Sequence, residues 1–142
     1  MRSSRSSGAT SADVRAFFDS SALVKLVREE DESVALRRFL ADSTHHYASA
    51  LVRAEVPRAA RRADARAPAR AHMLLDELDL IHIDEPLLAD SAQVEGRDLR
   101  TLDAIHLAAA MAIRDDLDVF VTYDARLAAA AEAEGFRVES PR

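Results

Sequence analysis

Apolar positions along this chain recur as short continuous bursts, each followed by a longer amphipathic stretch. VRAFF (Val14 to Phe18) is the first burst, too short for a helix, and it predicts a buried strand. Ser20 or Ser21 can cap a helix through LVKLV to about Arg28, and a second helix follows from Glu32 to Leu40. HHYAS (His45 to Ser49) predicts a weaker strand, after which Ser49 caps a long helix containing LVRAEVPRAARR. Pro57 lies inside that helix and is expected to kink it, because proline lacks a backbone donor and clashes with the preceding turn. Pro68 suits the first turn of the next helix, which runs to about Asp79. Leu80 to Ile83 predicts a third strand, and a helix from Pro86 to Glu95 stops at Gly96. Thr101 caps TLDAIHLAAAMAI. Asp118 to Thr122 (DVFVT) is the clearest strand, a helix from about Ala125 to Glu134 ends at Gly135, and FRVES is the last strand.

Strand and helix therefore alternate five times, often with two helices per crossover. That order predicts an α/β fold, a three-layer α/β/α sandwich on a mostly parallel five-stranded sheet. Residues 1–13 (MRSSRSSGATSAD) carry no apolar pattern and read as a disordered tail or a misassigned start, leaving 14–142 as the folded domain. The tail lacks the apolar segment of a secretory signal. No run of about 18 apolar residues occurs, so no membrane span is predicted.

Composition sharpens this picture in two places. The chain has no cysteine, which excludes disulfides and thiolate metal sites and fits a reducing, cytoplasmic setting. Its net charge of −6 is unevenly spread. Arg53 to Arg70 holds six arginines against Glu55 and Asp64, a net of +4, whereas Asp76 to Asp103 has a net of −7. Arg58, Arg62, Arg66 and Arg70 recur every fourth residue, although Pro57 and Pro68 interrupt the stripe. They are either RNA-backbone contacts or a solvated face.

Four carboxylates fall where charge is awkward. Asp19 follows the first strand, and Asp124 follows DVFVT; sites in open parallel sheets form at such strand ends. Glu55 lies within the helix after the second strand, and Asp103 starts an otherwise apolar helix. Singly, Asp19 and Asp124 could be helix caps, Asp103 could answer a helix dipole, and Glu55 could pair with Arg53 or Arg58. Jointly, acids without matching cations point to a divalent metal, and oxygen-only ligands suit Mg²⁺ or Mn²⁺. His106, one turn after Asp103, reads as a group packed or hydrogen-bonded within the helix layer, since no second histidine has metal-site spacing around it.

FFDSSALVKL, SALVRAEVPRA, RTLDAIHLAAA and VTYDARL, in this order and spacing, resemble the four motifs of PIN-domain proteins. The likeness extends to the VapC-type toxins of type II toxin–antitoxin pairs and covers about Val14 to Ser140. The resemblance implies a metal-dependent endoribonuclease restrained by a VapB-type antitoxin, and a homodimer. It matches Asp19, Glu55, Asp103 and Asp124 to the acidic quartet. Asp19 and Asp103 would be the central Mg²⁺ ligands, with Ser21 and Thr122 as supporting hydroxyls. Arg58 and Arg62 are candidate RNA contacts. Pro57, two residues after Glu55, departs from the pattern, and a kink there bears on where Glu55 sits relative to the other acids and on its direct contact with a metal. The alternatives are a PIN domain that only binds, or an aspartate-based phosphatase. The phosphatase needs a second aspartate where this chain has Ser21.

Overall fold

The structure, a computed structural model, describes residues 13–142. The expected tail therefore lies, but for Asp13, outside the described residues. Five strands form one sheet: β1 (Arg15–Phe18), β2 (His45–Ser49), β3 (Asp79–Ile81), β4 (Val119–Val121) and β5 (Val138–Glu139). Their order is β3-β2-β1-β4-β5, and every pairing is parallel. The chain builds outward from β1 on one side, then returns to its other side to lay down β4. The switch point, and hence the crevice at the carboxyl ends of the strands, lies between β1 and β4.

Seven α-helices cover the two faces: α1 (Ser20–Val27), α2 (Ser33–Asp42), α3 (Val52–Ala60), α4 (Ala67–Asp76), α5 (Glu85–Ser91), α6 (Thr101–Ala112) and α7 (Ala125–Ala133). Side chains alternate across a pleated strand, and the core divides accordingly. Ala16, Phe18, Val119 and Val121 join Leu23, Val52, Val56 and Ala71 on the α1–α4 face. Phe17 and Phe120 join Leu107, Ala109 and Leu127 on the α5–α7 face, where the two phenyl rings stack with centroids 5.2 Å apart. Ile105, His106, Leu107, Ala108, Ala109 and Ala110 of α6 are buried, and the small alanine side chains let this helix pack closely on its neighbours.

Several element ends differ from expectation for local reasons. α5 stops at Ser91, short of Glu95, where the Ser91 hydroxyl donates to the Leu88 carbonyl (2.6 Å) and the chain tightens into a turn. α7 ends as expected: Gly135 takes φ 96°, and Gly135 and Phe136 N–H close back onto Glu132 and Ala131 carbonyls. α3 continues past Pro57, and the Glu55 N–H still bonds the Leu51 carbonyl (3.1 Å). Among the described residues no helix is long and apolar enough to cross a membrane.

Candidate functional site

Strand register creates the first half of the site. Phe18 pairs with Val121, so the next residues, Asp19 and Thr122, leave the sheet side by side. Thr122 Oγ1 donates to Asp19 Oδ2 (2.6 Å) and accepts the Asp124 N–H (3.1 Å), linking the ends of β1 and β4 through one hydroxyl. Asp19 is only 2% exposed and is itself the N-cap of α1, accepting the Ala22 N–H (3.0 Å). The expectation that Ser20 or Ser21 caps this helix is therefore corrected. Cap duty falls to whichever residue has extended backbone, and that is Asp19 (φ −84°, ψ 178°). Ser21 instead donates to Asp19 Oδ1 (2.7 Å), a bond at the position where a phosphatase would carry its second acid.

Burial pushes the Asp19 carboxyl above the usual carboxylate range, although Thr122, Ser21 and the Ala22 N–H pull the other way. Asp124 caps α7, accepting the Leu127 N–H through Oδ1 (2.9 Å); among the described residues its Oδ2 has no donor. Capping and a role at the site are thus compatible for both residues, because each carboxylate has two oxygens and several lone pairs.

The second half comes from the helices. Glu55, two residues before Pro57 on α3, keeps its helical N–H bond to the Leu51 carbonyl and turns its carboxylate to Ser20 and His106. Glu55 Oε1 accepts from the Ser20 hydroxyl and lies 2.8 Å from His106 Nε2. His106 is 1% exposed, and its Nδ1 is 2.9 Å from Ser49 Oγ. Ser49 is not the N-cap of α3 as expected: Leu51 holds that position with no side-chain bond of its own, and the Ser49 hydroxyl accepts the Leu51 N–H (3.3 Å) while meeting the imidazole. Burial raises the proton affinity of Glu55, but bonds from His106 and Ser20 outweigh it and hold the carboxyl below its usual range.

Asp103 stands in the first turn of α6, next to the positive end of the helix. Thr101 is not the cap there; Arg100 has the extended backbone and Thr101 is already helical. Asp103 is half-buried, and no hydrogen bond from a described residue stabilises its charge. Burial first, and then the charges of Asp124 and Glu55, push its carboxyl above the ordinary range. Asp103 therefore senses two of the other three acids.

Among the described residues no three His, Asp or Glu side chains approach closely enough to form a ready-made metal cluster. Like charges repel, and each of the other three acids is drawn towards protein donors. The donor chemistry nonetheless fits a hard divalent cation. Among the described residues Asp103 has no counter-charge within bonding reach, and Glu55 Oε2 and Asp124 Oδ2 have no donor, so three acids accompany Asp19 with oxygens that no described group occupies.

The predicted arginine stripe divides. Arg58, Arg61 and Arg62 surround a cavity of about 320 Å³. Arg62 also lines a groove of about 590 Å³ beside Ser20, Ser21, Lys25 and Tyr123, next to the acids. Arg66 falls at the cap of α4, and Arg70 is bound to the Val27 carbonyl (2.7 Å) and Asp64 (2.6 Å). The sequence reading missed Ser20, Ser49 and the link from His106 to Glu55. The available signal was a histidine on a helix of alanines and leucines, since a buried ring nitrogen needs a partner.

The PIN domain family model matches residues 16–133 of this chain. Ribonuclease VapC46 of Mycobacterium tuberculosis is 42% identical over 125 residues, which cover 88% of this chain and 96% of that protein. In structure, the chain is similar to M. tuberculosis VapC20, described as a sarcin-ricin loop cleaving toxin. That match has a TM-score of 0.70 at 18% identity, covering 89% of this chain and 99% of the other. A toxin–antitoxin complex from Klebsiella pneumoniae matches with TM-score 0.68 at 24% identity, covering 89% and 98%. Both structural matches share the fold described above.

Proposed function

This chain belongs to the PIN-domain family, among its VapC proteins, and from that premise we propose that it is a divalent-metal-dependent endoribonuclease, the toxin of a toxin–antitoxin pair. The observation that carries the reading is Asp103: a half-buried carboxylate with no donor among the described residues, within the field of Asp124 and Glu55. The name of the VapC46 relative supports the ribonuclease activity.

Asp19, Asp103, Glu55 and Asp124 are the residues that would hold Mg²⁺ or Mn²⁺. Bound there, such an ion lowers the pKa of water and offsets charge on a phosphodiester. The chain's own contribution is orientation. Thr122, Ser21 and the Ala22 N–H fix Asp19, so the deepest acid keeps one geometry before any cation arrives. Ser20 and His106 fix Glu55 by one oxygen. Arg58 and Arg62, with Arg61 beside them, offer cations to the RNA backbone alongside the acidic crevice.

The Klebsiella complex supports a protein antitoxin as partner, of VapB type on family grounds, and a homodimer is expected on the same grounds. An RNA substrate would be met in the cytoplasm. The test is expression of the chain and of its Asp19→Asn and Asp103→Asn variants, with growth and cleavage of RNA by the purified proteins as readouts. The parent should arrest growth and cut RNA with Mn²⁺ or Mg²⁺, and both variants should do neither. Undiminished growth arrest in both variants refutes the metal-nuclease reading. A parent that takes up Mn²⁺ but cuts no RNA is a binding module instead.

A further inference from the structure

Among the described residues, His106 is the one buried titratable side chain outside the acidic quartet. It lies three residues after Asp103, so both occupy one side of α6. Its ring is 1% exposed, and both nitrogens are engaged. Nδ1 meets Ser49 Oγ at the end of β2 (2.9 Å), while Nε2 meets Glu55 Oε1 on α3 (2.8 Å) and Ser20 Oγ on α1 (3.1 Å). One imidazole thereby ties four elements together around a single carboxylate.

The hydrogen bonds have a direction. A carboxylate only accepts, so Nε2 carries the proton that faces Glu55. Ser49 Oγ accepts the Leu51 N–H (3.3 Å), and its own hydrogen is free for Nδ1. Both Glu55 bonds go to Oε1; among the described residues Oε2 has no donor. Glu55 is thus held by one oxygen and presents the other. A free glutamate on a helix samples many rotamers, and ordering it costs side-chain entropy. The folded protein has already ordered it.

We propose that His106 is a positioning residue, which, backed by Ser49, clamps Glu55 by Oε1 so that Oε2 is the oxygen offered to the cation of the acidic quartet. This inference rests on the metal-nuclease reading. Groups that orient metal ligands by hydrogen bonds typically change metal affinity about 10–100-fold when removed, and that is the effect expected here.

The test uses Mn²⁺ alone, titrated calorimetrically into the full chain without RNA. His106→Leu keeps the bulk and removes the donor, and should weaken Mn²⁺ binding about 10–100-fold. His106→Gln restores an N–H donor near the Nε2 position and should recover part of the affinity. In a Glu55→Gln background, His106→Leu should cause no further loss, because its effect is transmitted through that carboxylate. Unchanged affinity in His106→Leu overturns the proposal, as does an equal loss with and without Glu55, which would mark a packing role. If His106→Leu does not fold, Ser49→Ala removes the support on Nδ1 and leaves the ring. It should then weaken Mn²⁺ binding only when Glu55 is present, and parental affinity in that variant overturns the proposal. A parent chain that takes up no Mn²⁺ removes the four-acid reading itself, and this proposal with it.

Discussion

Thr122→Val replaces a hydroxyl by a methyl of nearly the same volume, so packing is preserved and only hydrogen bonding changes. Thr122 is fully buried, and its Oγ1 donates to the buried Asp19 carboxylate at 2.6 Å. A hydrogen bond to a charged group contributes about 1.5–3 kcal/mol. The same oxygen accepts the Asp124 N–H at 3.1 Å, at a half-buried position that water can partly resolvate. Leaving that donor unsatisfied adds about 1 kcal/mol, for a total near 2.5–4 kcal/mol at neutral pH. Against a typical stability of about 5–15 kcal/mol the variant remains folded but clearly weakened.

The loss should also depend on pH. Burial already raises the Asp19 carboxyl in the folded state, and removing the Thr122 donor raises it further. The charged form is what the hydroxyl stabilises. The difference between parent and variant is therefore fully present above the variant's folded pKa and shrinks as pH falls through the folded pKa of the parent. Once Asp19 is protonated the lost bond is a neutral one of about 0.5–1.5 kcal/mol. Urea unfolding in the presence of a chelator, followed by circular dichroism across pH, measures this directly. With a slope of about 2 kcal/mol/M, the midpoint should fall by about 1–2 M at neutral pH and by less in acid. A midpoint shift under about 0.5 M, or one that is constant across pH, would refute the assignment of Thr122 as the donor that keeps Asp19 charged.

Asp103→Asn should abolish cleavage yet stabilise the metal-free protein. Its carboxyl is raised by burial and by Asp124 and Glu55, so the fold disfavours its ionised form. That penalty is absent below the unfolded-state pKa of about 3.9, grows as pH rises to the folded value and persists above it. Thermal melts in chelator should show the variant more stable than the parent at neutral pH, with the gap closing in acid; a less stable variant at neutral pH contradicts the electrostatics. Arg58→Gln, Arg61→Gln and Arg62→Gln combined should weaken RNA binding, read by fluorescence anisotropy in chelator so that no cutting occurs. The slope of log affinity against log salt should fall by about 2, at about 0.7 per phosphate contact on single strands. An unchanged slope would return these arginines to the role of a solvated face.

The strands of the switch point were legible because each has an unbroken apolar centre, Ala16 to Phe18 and Val119 to Val121, as strands covered on both faces must have. The edge strands β3 and β5 were harder to bound, being paired on one side only and just three and two residues long. Caps were misassigned at Ser20 or Ser21, Ser49 and Thr101 for a common reason. Where several cap-competent residues adjoin, the backbone angles of one residue decide, and tertiary pairing sets those angles. For Asp19, β1's pairing with β4 did so. The acidic quartet could be picked out as misplaced charge, but how each acid is held could not. Ser49 and His106 are 57 residues apart, and their bond exists only because α6 crosses the end of β2. The effect of Pro57 was not legible: the proline crowds the turn that contains Glu55, yet the Glu55 N–H still bonds the Leu51 carbonyl.

The hydroxyl bridge from Thr122 to Asp19 spans 103 positions of the chain. No stretch of nascent polypeptide that ends before β4 can assemble the site, because the residues directly after β4 supply both that hydroxyl, on Thr122, and Asp124. Synthesis therefore has a built-in delay. The protein acquires its site only as its last quarter emerges, and parallel pairing between distant segments is an intrinsically slow step of folding. A chain truncated before β4 would have Asp19, Glu55 and Asp103 in place along its length and still be harmless. For a proposed growth inhibitor, that order of events withholds activity until the chain is nearly complete.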